Sequence, residues 1–572
     1  MHNTYIALSK LPDDFCINGE TVLITNGCSL DYKNINYLMK TNIFNNDSIK
    51  KKYNKSILLS IDIIQYIASI LSKKYNINLQ FSFWRKLLYP WALHFIQALI
   101  YRDEYIKNSL HIVNNPIYIT DNKDYYTYMP SWYNMSISLF SDDIFNLHLL
   151  SDIVRFYKLN SKTFFNITRN NEMKIKFGNV CSHKYSLILD ELYKNGIESN
   201  KPVHVLYGCY GISDGFQFLR NGFARLTLAG NYSKIISLPN LDVELRNTVI
   251  HLHHKDTFSQ LLGTIALRYL PVCYCEALPG LLEWARSIKL PHNGVLATSV
   301  SHFIDPLFAV LAAVSDIPFV VIEHGGGQMY RHFTSYDLSG SIADRYYDWG
   351  NASPYYLPNP YLTKIYPRNK LKPPLLVCAC IWRYPSMLHS ANSIDACDYF
   401  SERTNFLRLI APLKRPEVRL YIREYGWAER RLLDSELPGI SYQSAMNLPI
   451  EQAIADSILL VHDHYSTTFH RAMATDIPSI VFTKPGLYSE KGESMISMLR
   501  ECGIWHDTAE SAARFYMSLV EKSSTWREAE INIQDWWNEA SVRKAREEFC
   551  MKYAQTDVYW AKKWQSAFDI IC

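Results

Sequence analysis

The tightest constraint on this 572-residue chain is a strand–helix–strand run between residues 294 and 327. Residues 294–298 (GVLAT) and 318–323 (PFVVIE) are short apolar runs of strand length, and the apolar stretch 305–315 between them reads as a helix. The second run leads directly into His324-Gly325-Gly326-Gly327. A strand–helix–strand unit predicts a parallel sheet, and open parallel sheets take their ligands at the carboxyl ends of the strands. The glycines stand at such an end.

The same rhythm continues on both sides. Residues 20–26 (ETVLITN), 202–209 (PVHVLYGC) and 234–238 read as strands, while 56–75 and 81–105 carry helical spacing, the latter with a kink or break expected at Pro90. Five prolines between 355 and 374 mark a boundary (358, 360, 367, 373 and 374). Strand-like runs then resume at 375–380 (LLVCAC), 418–422 (VRLYI), 458–461 and 479–482. Asp507-Thr508-Ala509-Glu510 has capping-box spacing and opens an amphipathic helix to about residue 522, and the Trp-rich stretch 531–572 reads as helical. The fold expected is α/β. Two sequential Rossmann-like domains span 1–365, with helical insertions, and 370–545, and a helical tail covers 546–572.

Composition narrows the function. With 59 Lys+Arg against 55 Asp+Glu, the net charge of +4 is too small and too dispersed for a nucleic-acid partner. A hydrophobic content of 48% with 14% aromatics excludes a disordered chain. The first fifteen residues lack a basic segment followed by an apolar run, so no signal peptide is read. The longest uncharged apolar stretch, 87–101, contains Pro90, His94 and Gln97 and is too short to span a bilayer. A buried core helix is the favoured reading of it, membrane-surface contact the alternative. The expectation is a soluble, cytoplasmic protein. Among twelve cysteines, the C-x-C pairs 273/275 and 378/380 sit in apolar, strand-like runs without further ligands at metal spacing, which predicts buried thiols.

Four segments can carry chemistry. The His324 turn offers an imidazole together with glycines that let backbone N–H groups approach an anion, or that merely permit a tight turn. Asp463-His464-Tyr465-Ser466-Thr467-Thr468-Phe469 follows a strand and precedes a helix. Its three hydroxyls suit a phosphate at a helix start, where one would suffice for a cap. Arg383, just after the strand at 375–380, and Arg423, after the strand at 418–422, are forked phosphate clamps or ordinary ion pairs. In the loop 299–305, His302 and Asp305 are acid/base or nucleophile candidates, although Asp305 before Pro306 also suits a helix cap. The sequence has no GxxxxGK[ST], no GxGxxG after its first strand, no GxSxG and no evident DxD pair at a strand end.

These segments, taken with 81–105 (FSFWRKLLYPWALHFIQALIYRDEY), VIEHGGGQMY, ADRYYDWGN, DHYSTTFHRAMATDIPSIVF, CGIWHDTAESAARF and DWWN, resemble in order a family of transferases of bacterial O-antigen and surface-carbohydrate loci. The likeness runs from about residue 20 to 564. That family resembles the GT-B glycosyltransferases and, more distantly, teichoic-acid glycerophosphotransferases and Kdo transferases. The resemblance implies an acceptor-side domain at 1–365 and a nucleotide-sugar domain at 370–545 that close on one another. It implies His324 as the catalytic imidazole; on the residues themselves, His324 or a nearby carboxylate would be the base of an inverting reaction and Asp305 the nucleophile of a retaining one. On that resemblance Ser466, Thr467 and Thr468, with Arg383, would hold the donor phosphate, and the reading of the residues adds Gly325, Gly326 and Arg423. It further implies a metal-independent glycosyltransferase with no cofactor beyond a nucleotide-sugar donor, CMP-linked as the leading choice. The acceptor would be a glycan or lipid-linked glycan, with peripheral contact at the inner membrane. A CDP-alditol-dependent polyol-phosphate transferase and a non-catalytic scaffold of a glycan-export complex are the rivals. The chain departs from the family pattern in having Glu323 before the HGG turn and Thr25-Asn26-Gly27-Cys28 near its start.

Overall fold

The computed structural model describes residues 4–9, 20–23, 46–121, 129, 132–165, 202–209, 223–225, 240–288, 290, 293–299, 306–326, 335–379, 381–388, 396–422, 425–483 and 488–572. Three sheets are present among them, and every paired strand is parallel.

The first sheet holds β1 (Thr4–Ala7), β2 (Glu20–Leu23), β3 (Ile117–Asp121) and β4 (Ser161–Phe165) in the order β2-β1-β3-β4. Helices α1 (Asn46–Tyr75), α2 (Phe81–Ile112), α3 (Trp132–Ser141) and α4 (Asp143–Phe156) accompany it. The stretch 1–365, read from sequence as one Rossmann-like domain with helical insertions, thus contains a complete extra sheet. Helix α2 runs through Pro90 as one element, not two. Every residue from 87 to 103 is buried, so 87–101 is the core helix and offers no surface to a membrane. Only α1, over 47–75, is long and apolar enough among the described residues to cross a bilayer; half of its most apolar window is buried, and it packs on α2.

The other two sheets share one topology. β5 (His204–Tyr207), β6 (Phe223–Arg225), β7 (Leu296–Thr298), β8 (Phe319–Ile322) and β9 (Arg345–Tyr347) lie in the order β6-β5-β7-β8-β9, with α5 (Pro306–Val314) between β7 and β8. β10 (Leu375–Val377), β11 (Glu417–Arg419), β12 (Leu460–His462), β13 (Ser479–Phe482) and β14 (Trp505–His506) lie in the order β11-β10-β12-β13-β14. α6 (Ala396–Leu409) joins β10 to β11 and α7 (Thr467–Ala474) joins β12 to β13. Each has a switch point beside its first strand, where doubly wound sheets open a crevice for ligands. Buried apolar residues fill β8, β10 and β13, as expected for parallel strands covered on both faces. The strand read at 234–238 lies outside the described residues.

The C-terminal stretch fastens the two halves together. α8 (Trp526–Trp537) and α9 (Ala540–Tyr553) complete the core of the last sheet. The chain then returns: α10 (Trp560–Asp569) places Trp560, Trp564 and Phe568 in one apolar cluster with Leu206, Phe223, Val320 and Ile322 of the middle sheet. Trp564 Nε1 donates to the Pro358 carbonyl at 2.9 Å, and the Gln555 N–H donates to the Trp349 carbonyl at 2.8 Å.

A second fastening comes from the loop that follows β10. Tyr384 N–H donates to the Phe140 carbonyl (2.9 Å), Tyr384 Oη to Asp143 Oδ1 (2.6 Å), and Leu388 N–H to Gln97 Oε1 (2.9 Å). Trp382 stacks on Phe140 with ring centroids 4.1 Å apart. The wholly buried Arg102 of α2 donates to the Leu139 carbonyl, Asn146 Oδ1, Ser386 Oγ and the Pro385 carbonyl, tying α3 and α4 to this loop.

The cysteines follow their expected burial but not their expected setting. Cys273 lies in a 3₁₀ turn (Val272–Tyr274) with Cys275 at its end, and both are buried free thiols, as is Cys378. Cys380 lies outside the described residues.

Candidate active site

The site begins where β8 ends. Glu323, buried, continues the ladder by donating its N–H to the Tyr347 carbonyl at 2.8 Å. Its Oε2 accepts from the Trp349 N–H at 3.0 Å and its carbonyl from Trp349 Nε1 at 2.8 Å. Three bonds fix the strand end so that the next residue, His324, emerges into open space. The His324 ring hydrogen-bonds the backbone of Ser299, just after β7. Although one side of the ring meets solvent, protein surrounds the rest, and this desolvation lowers the pKa below that of ordinary histidine, the Ser299 bond opposing it in part. The ring is therefore neutral near pH 7, the form a general base requires.

The glycines after it meet the other half of the molecule. Gly326 N–H donates to Thr467 Oγ1 at 3.3 Å. A Cβ on Gly325 would sit 3.2 Å from that oxygen, and one on Gly326 would sit 2.2 Å from Nδ1 of His470. Neither has a positive φ, so close approach, and not backbone conformation, requires glycine here. His470 is fully buried and held by its Nδ1 bond to the Ser466 carbonyl at 2.9 Å, so it has little room to yield. Gly326→Ala is accordingly expected to overpack this junction at a cost of about 1–3 kcal/mol. An unchanged melting temperature in differential scanning fluorimetry would contradict that expectation.

Helix α7 supplies the facing wall. Ser466 occupies its N-cap position in extended conformation, yet its side chain makes no capping bond. Ser466 Oγ instead lies 3.0 Å from Thr468 Oγ1. The simple capping role is thus not filled, and the hydroxyls sit at the helix start beside the first-turn N–H groups, where an anion is favoured.

Below this wall is a buried charge network. Asp463 Oδ1 accepts from the Ala379 N–H at 2.9 Å and pairs with His464 Nδ1 at 2.8 Å, while Oδ2 accepts from Arg403 Nε at 2.8 Å. Arg403, fully buried on α6, also reaches Glu429 Oε2 at 2.7 Å and Tyr399 Oη at 2.6 Å. Burial alone would raise the Asp463 pKa. The Arg403 charge and the hydrogen bonds from His464 and Tyr399 outweigh it and hold the carboxyl well below the usual carboxylate range. One residue earlier, the buried His462 has its pKa pushed down to about 3 by desolvation and is neutral.

Between the two walls lies a cleft of about 680 Å³, lined by His324 from the end of β8 and by Tyr361, which packs in the core of the last sheet. Trp382, Arg419, Tyr421, Tyr425 and 464–468 line it as well. That volume suits a ligand of nucleotide-sugar size. The structure therefore brings together His324, Gly325, Gly326, Ser466, Thr467 and Thr468. Arg383 stands apart: it is buried, does not line the cleft, and its Nη2 lies 3.5 Å from Asp143 Oδ1 on α4. A cross-link between the halves, the ion-pair alternative, is the geometry found for it. His302, Asp305, Gly327 and Arg423 lie outside the described residues.

Two five-stranded parallel sheets meet carboxyl end to carboxyl end, with the last helix crossing back onto the first of them, in a doubly wound, Rossmann-like α/β architecture. The chain belongs to the LIC12162 family of transferases, whose family model matches residues 14–568. Among solved structures it is similar to MurG of Acinetobacter baumannii, at 12% identity over 64% of this chain and 100% of that one, with a TM-score of 0.34. It is also similar to an O-GlcNAc transferase mutant from Thermobaculum terrenum, at 13% identity over 84% and 90% of the two chains, with a TM-score of 0.32. No curated protein matches the chain.

Proposed function

We propose that this transferase is a glycosyltransferase that moves a sugar from a nucleotide donor to a hydroxyl of a surface-glycan acceptor. The observation that carries this reading is the contact of Gly326 with Thr467 beside His324 in a shared cleft. The donor phosphate rests at the start of α7, on backbone N–H groups and the hydroxyls of 466–468. The sugar lies toward His324. The acceptor hydroxyl attacks the anomeric carbon and gives its proton to the imidazole, the new glycosidic bond forms, and the anomeric carbon–phosphate-oxygen bond breaks. The nucleotide leaves with that bond's electron pair, which the helix start stabilises. The two reacting molecules are thereby held in one geometry, a large part of the barrier reduction such a site can supply.

A CMP-linked ulosonic or nonulosonic acid is the donor we favour, on the family resemblance, with the acceptor in O-antigen or capsule synthesis. A lipid-linked acceptor would place the protein at the inner face of a membrane. A thermal-shift screen of CMP, CDP, UDP and GDP tests the donor class. At a hundredfold excess over Kd, the binding nucleotide stabilises by about 2.7 kcal/mol. CMP is expected to give the largest shift, followed by transfer or hydrolysis of CMP-Kdo. Turnover of CDP-glycerol in its place would make the enzyme a polyol-phosphate transferase, and the absence of any nucleotide shift would end the enzymatic reading.

A further inference from the structure

The arrangement at the end of β12 contains a group that the hydroxyl-lined helix start does not require. His464 lies in the cleft wall between the buried Asp463 and Ser466, its side chain 16% accessible. Its Nδ1 is 2.8 Å from Asp463 Oδ1. A carboxylate anchored by Arg403 and the Ala379 N–H has no proton to give, so Nδ1 carries the hydrogen and donates it. That fixes the ring orientation and leaves Nε2 as the nitrogen free to serve a ligand, the same logic by which a buried aspartate orients a histidine in hydrolase triads.

We propose that His464, aligned by Asp463 and through it by Arg403, is a direct ligand of the donor's phosphate. In the loaded site Nε2–H donates to a phosphate oxygen while Nδ1–H remains on Asp463. The aspartate supplies the compensating charge behind the ring. Ser466, Thr467 and the helix N–H groups hold the phosphate as neutral donors, and His464 adds a charge-assisted bond. This assignment rests on the glycosyltransferase reading above, because it takes a nucleotide as the ligand. Asp463 and Arg403 are positioning residues within it and touch no ligand.

The experiment compares phosphate-bearing and phosphate-free probes. Dissociation constants are measured by calorimetry for CMP, CDP, UDP and GDP and for cytidine, uridine and guanosine, on the wild type and on His464→Ala. The expected result is that His464→Ala weakens the best-binding nucleotide about 10- to 100-fold, as loss of a charged hydrogen bond implies. Its nucleoside is bound as before, and the free protein stays folded, its melting temperature lowered only by the lost bond to Asp463. Equal weakening of nucleoside and nucleotide would show a packing role and overturn the assignment, as would no weakening of either. His464→Gln restoring full nucleotide affinity would overturn the charged form of the contact. Failure of every nucleotide to bind the wild type would instead remove the donor reading, and this assignment with it.

Discussion

His324→Ala is expected to lower sugar transfer by about 10²- to 10⁴-fold, the usual worth of a positioned general base, while nucleotide affinity stays within about threefold. The reasoning is spatial. His324 reaches the cleft from the middle sheet, whereas the elements proposed to hold the phosphate belong to the last one. Its loss leaves the start of α7 and its hydroxyls in place. Desolvation at the end of β8 lowers the pKa of His324, which favours the neutral form a base needs. A rate measured at saturating donor and acceptor, alongside a binding isotherm for the nucleotide, separates the two effects. A variant that binds nucleotide normally and still transfers at the wild-type rate would move the base elsewhere and reopen the scaffold reading.

The second large effect is one of stability. Arg403→Met is expected to cost about 3–5 kcal/mol, because it leaves Asp463 and Glu429 as buried carboxylates with their main counter-charge removed. Arg403→Lys keeps the charge but cannot reproduce the fork that bonds Asp463, Glu429 and Tyr399 together, so an intermediate loss is expected. Urea unfolding followed by tryptophan emission, with Trp427 and Trp505 buried in the last domain, reports it. A Met variant as stable as the wild type would mean that the pair is no better than a well-packed apolar substitute at this position.

Both predictions rest on segments of unequal visibility in the sequence. The strands at 319–322, 375–377, 460–462 and 479–482 and the turn and helix start that follow two of them were legible, because continuous apolar runs punctuated by glycine or hydroxyls report fully buried parallel strands. Of the N-terminal sheet only β2 was, within the run at 20–26. β4 (SKTFF) begins with three exposed residues that give no apolar signal. Arg403 was hidden for another reason: its two carboxylate partners lie 60 and 26 residues away, and only the fold brings them together. His464 was visible as a letter beside Asp463, but its function depends on that carboxylate being buried and ionised, which no local pattern reports. Arg383 shows the reverse case. Its place after the first strand of the last domain suggested a phosphate clamp, and the packing of its loop against α4 turned it toward Asp143 instead.

That same packing bears on how molecules reach the cleft. The segment after β10, which in a freely hinged pair of lobes would be an idle flap over the ligand, is here stitched into α2, α3 and α4 through Arg102, Phe140 and Gln97. Together with the seam at Gly326 and the returning α10, this makes three separate points of attachment. A jaw-like swing would have to tear at least one of them. Traffic through the cleft therefore falls to small movements at its unstitched lip, where Tyr421 and Ile422 stand in solvent.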